Sequence, residues 1–188
     1  MRDFIKKKLN EDLQYWSANN ANKDSYKLGI EEISVPKLRI SKDIKISPED
    51  IEKIKNVSWE NLQIIENGDD GNSILHFNLI IPNTNKEIGE NVIVDVQLVH
   101  NILYQVHINL PKAAQKMGLG YKVYVAMVNY LGQIYSGKGR ILNPDAIPQL
   151  WNKLNNEPGI DCHSGELGTV CFSKHVSNED KESILKFF

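Results

Sequence analysis

The chain has 188 residues, with 22 Lys and Arg against 24 Asp and Glu and a formal charge of −2. The length suits one domain with a real core, and the charge balance argues against a surface built throughout for nucleic acid, though not against a local basic patch. No apolar run reaches the ~20 residues of a membrane helix, and no signal-peptide core follows the basic start, so a cytoplasmic protein without a membrane partner is expected.

Phe4, Ile5, Leu9, Leu13 and Trp16 recur at helical spacing and predict an amphipathic helix over about residues 2–16. The polar, Asn-rich stretch Ser17 to Lys27 reads as a linker. Ile30 to Ile40 has strand character interrupted by Pro36. Residues 1–45 therefore read as an N-terminal helix and extension, and residues 46–188 as the main domain.

Ser47-Pro48-Glu49-Asp50 is a helix start: serine caps, proline suits the first helical position, and acids suit the first turn. This helix should end near Lys55. Trp59, Leu62, Ile64 and Ile65 then lead to a turn at Asn67 to Gly71. Ser73 to Ile81 is a strand ended by Pro82, and Asn83 to Glu90 reads as a polar turn. Val92 to Val99 and Leu103 to Leu110 read as a hairpin around His100-Asn101.

Downstream, Tyr121 to Leu131 predicts a helix, Gln133 to Ser136 a short strand, and Ala146 to Leu154 a further helix. Leu167 to Ser173 is the last predicted strand and Glu179 to Phe188 a terminal helix. Cys162 and Cys171 match no C-x-x-C motif, and one pair is no disulfide framework, so reduced thiols are expected. With His163 and His175 they fit no zinc spacing, and no metal is expected.

The most informative stretch is Gln115-Lys116-Met117-Gly118-Leu119-Gly120, between an apolar strand and a helix. Glycine permits close backbone approach, and the first N–H groups of a helix favour an anion. The spacing is neither G-x-x-x-x-G-K-[ST] nor G-x-G-x-x-G. It reads as Q-x-x-G-x-G, which resembles the acyl-CoA loop of the GNAT superfamily of N-acetyltransferases.

A second stretch resembles the same family. Asn143-Pro144-Asp145-Ala146, followed by Leu150-Trp151-Asn152-Lys153-Leu154, is similar to its N-x-x-A and aliphatic-aromatic, K-L pattern, with an insertion near Pro148. The likeness covers roughly residues 73–173. In texture it is closest to divergent GNAT-like proteins encoded by tailed phages, in which case the compartment would be the host cytoplasm.

The resemblance implies an α/β (α+β) fold with a mixed, mostly antiparallel central sheet flanked by helices. It implies an N-acetyltransferase that moves an acyl group from acetyl-CoA to a primary amine by direct attack. The amine would belong to a small molecule, a protein or a modified base, and a dimer is compatible with the family. The cofactor site would comprise Leu110, Gln115, Met117, Gly118, Leu119, Gly120, Tyr121, Lys122 and Asn143. The CoA diphosphate would lie on backbone N–H groups from Met117 to Lys122, and the pantetheine arm beside the strand ending at Leu110. Lys138 and Arg140 are candidates for the 3′-phosphate, although a solvated loop explains them better.

The family commonly has a tyrosine where this chain has Trp151. Tyr124, Tyr135 and Ser136 are the candidates to replace it, with Tyr135 nearest the expected thioester by sequence. This departure keeps an alternative open, a catalytically inactive GNAT-like interaction protein acting on a host factor. A third alternative is a virion- or nucleic-acid-associated component docked by its basic N-terminal helix.

Alternation along the hairpin suggests a base. A three-residue loop, His100-Asn101-Ile102, brings Val92, Val94, Val96 and Leu98 to the same side as Tyr104, Val106, Ile108 and Leu110. Asp95 then lies opposite His107 and Gln97 opposite Gln105, with Asn109 on the same face. His107 could accept the amine proton while Asp95 orients it. The alternative for this pair is a structural contact on a solvated sheet face.

Overall fold

A computed structural model of the chain describes residues 39–69, 74–99, 102–137, 146–186 and 188. The expectations placed on residues 1–38, Asp70, Gly71, His100, Asn101, Lys138 to Arg140 and Asn143 to Asp145 lie outside these residues.

Strands β1 (Gln63–Asp69), β2 (Ile74–Ile80), β3 (Ile93–Val99), β4 (Leu103–Asn109), β5 (Gln133–Gly137), β6 (Ile160–Ser164) and β7 (Gly168–Ser173) form one sheet in the order β1-β2-β3-β4-β5-β7-β6. Among the described residues, five α-helices accompany it: α1 (Pro48–Asn56), α2 (Lys86–Asn91), α3 (Leu119–Leu131), α4 (Ala146–Asn155) and α5 (Asn178–Leu185). Every neighbouring strand pair is antiparallel except β4 with β5, which run parallel and share the single registered pair Gln105 with Tyr135. The expected mixed, mostly antiparallel sheet flanked by helices is therefore present. Among the described residues, no helix is long and apolar enough to cross a membrane.

Local chemistry explains the element boundaries. The Ser47 hydroxyl accepts from Asp50 N at 3.1 Å and starts α1, with Pro48 in its first turn. A serine cap of this kind is worth about 1 kcal/mol. Ser177 caps α5 in the same way through Asp180 N, again at 3.1 Å. The expected polar turn over Asn83 to Glu90 is in part helix α2, because Asn85 caps it through Glu87 N and Ile88 and Gly89 are buried. The turn expected at Asn67 is still strand. β1 continues to Asp69 through an irregularity between Glu66 and Gly68. Strand β6, which carries Cys162, was not anticipated.

The three-residue hairpin register holds. Val94 faces Ile108, Val96 faces Val106 and Leu98 faces Tyr104, so these side chains share one sheet face. On that face they join Phe77, Val123, Met127 and Leu154 in the main core. Helix α3 is apolar nearly all round, as a helix laid across a sheet's centre must be. Val94 and Val96 are completely buried, and each contributes about 1.5–3 kcal/mol. Val96→Asp would place a charge in this core and break it.

The other face is divided. Over β5 and β7, a second cluster of Tyr135, Val170, Phe172 and Ile184 is closed by Leu185 and Phe188 from the C-terminal end. Over β2, β3 and β4 the same face instead carries a patch of polar side chains.

Candidate functional site

That patch is built by register. Two strands pair on either side of β3, so His76, Asp95 and His107 form one row across β2, β3 and β4. The next row toward the hairpin loop contains Gln97 opposite Gln105, with Tyr135 beside Gln105 on β5. Asn109 lies on the other side of the first row, opposite Ile93.

Asp95 is the centre of the patch and is fully buried. A buried carboxylate requires a counter-charge and hydrogen bonds. Arg39 supplies both: its backbone N–H donates to Oδ2 at 3.0 Å and its Nε to Oδ1 at 2.9 Å. Its Nη2 donates to the carbonyls of Phe77 at 2.8 Å and Val94 at 3.2 Å, and its Nη1 to Asn78 Oδ1 at 3.3 Å. Asn109 Nδ2 donates to the Arg39 carbonyl at 2.7 Å, which fastens the segment from its backbone side.

The second partner of Asp95 is His76, whose Nδ1 lies 2.7 Å from Oδ1. An ionised carboxylate only accepts, so Nδ1 carries the proton. Asp95 therefore bonds Arg39 and His76, not His107. The expected orientation of His107 by Asp95 is corrected accordingly: the two residues are opposite in register, but the carboxylate oxygens face other donors. His107 has no hydrogen-bond partner among the described residues. Burial pulls its imidazole below the usual histidine range, and the neighbouring Asp95 charge opposes this. It is a neutral imidazole at physiological pH.

Neither His76 nor Arg39 was among the sequence candidates. His76 could have been found by carrying the hairpin alternation one strand back, had the β2–β3 register been known. Arg39 is separated from Asp95 by 56 residues, and no periodicity in the chain connects them.

The expected cofactor residues from Leu110 to Lys122 form one contiguous corner. Pro111 opens a short 3₁₀ turn, Lys112–Ala114, and Gln115 Nε2 donates to the Leu110 carbonyl at 3.2 Å. Gly118 then adopts φ 78° and ψ −2° at the N-cap of α3, with no side-chain cap. It is exposed, and a Cβ there would meet no atom within 4 Å. The α3 N–H groups of the first turn thus have neither an internal carbonyl nor a cap. Leu119 is buried, and Leu110 packs beneath the helix at Gly120, its Cδ1 3.7 Å from where a Cβ would stand, an ordinary contact distance. Met117 packs against the main core.

The side chains of the next two residues are engaged. Tyr121 donates its hydroxyl to Glu157 Oε2, and burial together with that carboxylate pushes its pKa up to about 12. Lys122 Nζ donates to the carbonyls of Lys55 at 2.6 Å and Ile54 at 3.3 Å, closing the C-terminus of α1. Its backbone N–H is engaged as well, donating to the Gly118 carbonyl at 3.4 Å.

The tyrosine candidates separate. Tyr135 donates to the Leu167 carbonyl at 2.8 Å and stacks edge-on against Phe188 at 5.7 Å. Its hydroxyl thus points into the C-terminal cluster. Tyr124 donates to the Val106 carbonyl of β4 at 3.3 Å, and its ring lies 6.3 Å from Trp151. Burial pushes the Tyr124 pKa up to about 12.

The cysteine expectation is overturned. Cys162 and Cys171 are joined as a disulfide, and the described residues include no free cysteine. The bond follows from register: Gly165 donates to the Gly168 carbonyl, so the Cys162–Cys171 pair three steps along falls at a non-hydrogen-bonded position. Cα atoms approach most closely at such positions. Among the described residues, no group of three His, Cys, Asp or Glu side chains is placed to hold a metal. An open groove between α1 and β1, lined by residues including Lys53, Asn56, Asn61 and Asn83, touches neither the polar patch nor the glycine corner.

No family model matches the chain, and no curated protein matches it.

Proposed function

We propose that the chain is an acyl-CoA-dependent N-acyltransferase of the GNAT type, acting on a primary amine. The observation that carries this reading is Gly118: a left-handed glycine opens a 13-residue helix that has no side-chain cap, one short 3₁₀ turn after a strand that meets its parallel neighbour at one registered pair. An uncapped helix start with an open glycine is a ready site for a diphosphate. The backbone N–H groups from Met117 to Tyr121 would hold it, the Lys122 N–H being paired with the Gly118 carbonyl, with Leu110 and the β4 edge beside the pantetheine arm. Bound acetyl-CoA would supply an activated acyl group. The chain's own task is then positioning and proton management.

Acetyl-CoA should raise the melting temperature of the wild-type chain by several degrees at millimolar ligand. Gly118→Val should remove that shift, because the side chain would enter the open mouth of the loop. No shift in the wild type at millimolar acetyl-CoA sinks the reading.

A second reading, a GNAT-like interaction protein without turnover, has one observation in its favour. Trp151 occupies the place where the resembling family has a tyrosine, and the Tyr135 hydroxyl is bonded to Leu167. Indole N–H is a donor but no useful acid. That reading predicts acetyl-CoA binding with no thiol release in the presence of any amine.

A further inference from the structure

The polar patch contains an imidazole whose two nitrogens are chemically distinguished. His76 Nδ1 is held by Asp95 Oδ1 at 2.7 Å, so in the neutral ring Nε2 is the nitrogen that carries the lone pair. Nε2 has no partner among the described residues. The His76 side chain is 17 % exposed while Asp95 is fully buried, so the base is reachable and its orienting group is not. Arg39 holds the same carboxylate through both oxygens, its backbone N–H on Oδ2 and its Nε on the Oδ1 that His76 also bonds, which fixes the carboxylate and, through it, the ring. His107, across the strand from Asp95, has no such anchor.

We propose that His76, oriented by Asp95, is the proton acceptor of this face, and that the acceptor substrate is a weakly basic or neutral amine. The substrate class follows from the charges. Asp95 is the one carboxylate that the β1–β4 strand residues place on this face, and it is already paired with Arg39. Gln97 and Gln105 beside it offer hydrogen bonds but no negative charge, while the Asn78 amide is engaged by Arg39 and Glu90 and Asn109 Nδ2 by the Arg39 carbonyl. Such a face favours an uncharged polar amine over a polyamine or a lysine-rich peptide, whose ammonium groups would be desolvated without compensation.

The assignment rests on the acyl-transfer reading for its reaction. The amine lone pair forms the N–C bond to the acyl carbon while the C–S bond breaks and its electron pair leaves on sulfur as thiolate. The surplus proton on nitrogen passes to His76 Nε2, giving an imidazolium stabilised by Asp95, and is then released to water.

The experiment is thiol release from acetyl-CoA by the full chain with a panel of weakly basic primary amines such as glycinamide and aniline, alongside melting with acetyl-CoA alone. His76→Gln and His76→Ala should each lower kcat by at least about 100-fold while keeping the acetyl-CoA shift, and added imidazole should restore part of the His76→Ala rate. His107→Gln should stay within a fewfold of the wild type. Retained turnover in the His76 variants, or loss in His107→Gln alone, overturns the assignment and leaves acyl transfer standing. Binding of acetyl-CoA with no wild-type turnover on any amine overturns it as well and favours the interaction protein. A missing acetyl-CoA shift in the wild type removes both proposals.

Discussion

Asp95 stands directly opposite His107 across β3 and β4, yet its carboxylate is bonded to Arg39 and His76. The arrangement makes one residue near the beginning of the described chain the counter-ion of the sheet's centre. Arg39 also ties together β2 and β3 through the Phe77 and Val94 carbonyls. The polar face therefore depends on a contact that is remote in sequence.

Arg39→Gln should destabilise the fold by about 3 kcal/mol, because it leaves a buried carboxylate without its cation. Asp95→Asn should soften the loss: in the double variant Arg39→Gln/Asp95→Asn, the combined cost should fall short of the sum by about 1–3 kcal/mol. Urea denaturation of the four proteins measures the coupling. A single Arg39→Gln effect below about 0.5 kcal/mol, the range of an ordinary surface change, would show that the ion pair holds nothing.

His107 supplies a pH test. Its folded pKa lies below the ordinary histidine value of about 6.5 because burial disfavours the imidazolium. Above pH 6.5 both folded and unfolded chains carry a neutral ring. As pH falls below that value, the unfolded chain takes the proton first, so this group removes stability progressively through the folded pKa. His107→Gln should therefore flatten the fall in unfolding free energy from about pH 6.5 downward. Parallel curves for wild type and variant through that window would contradict the burial assignment.

The contrast between these histidines shows what the sequence could disclose. Alternation of Val94, Val96, Val106 and Ile108 demanded one covered face, and a three-residue loop was the connection that satisfied it. The pairing of Asp95 with His107 followed from that register alone. His76 required the register of a different pair, β2 with β3, whose connection contains the short helix α2. A six-residue helix started by one asparagine cap is nearly invisible to periodicity. Arg39 was still less accessible, because no pattern in a sequence of this kind encodes a contact 56 residues away. The glycine loop was legible for the opposite reason: strand, turn and helix start are adjacent in the chain.

Register also explains the disulfide. The nine-residue separation of Cys162 and Cys171 fits no metal motif, but it fits two opposed positions of the β6–β7 hairpin. Reduction should lower stability by about 2–3 kcal/mol, the chain-entropy value for a loop of this size. The paired Cys162→Ser/Cys171→Ser protein should lose a similar amount and should no longer respond to reductant. Alkylation of the native, unreduced chain followed by mass measurement checks the bond itself. Two modified cysteines would rule it out.

Two glycines should respond differently to the same added methyl group. Gly118 has φ 78° in open space, so Gly118→Ala meets only the intrinsic cost of a left-handed alanine, about 1–2 kcal/mol. Gly168 pairs with Gly137 between β5 and β7, and its φ is 147°. A Cβ there would stand 2.1 Å from the Ser136 carbonyl oxygen and 2.9 Å from Gly137 Cα. Both are backbone atoms and cannot rotate away, so the β5–β7 ladder itself must move. The residue before Gly168 is also held, its Leu167 carbonyl accepting from the Tyr135 hydroxyl. Gly168→Ala should therefore cost about 3 kcal/mol or more, from overpacking added to backbone strain. It should leave the acetyl-CoA shift of the surviving folded protein intact, because the glycine loop is untouched. Gly118→Ala should show the reverse: a modest loss of stability and a weakened acetyl-CoA shift. Thermal melting of both variants with and without acetyl-CoA reads the two effects together, and equal destabilisation of the two proteins would contradict the packing described for Gly168.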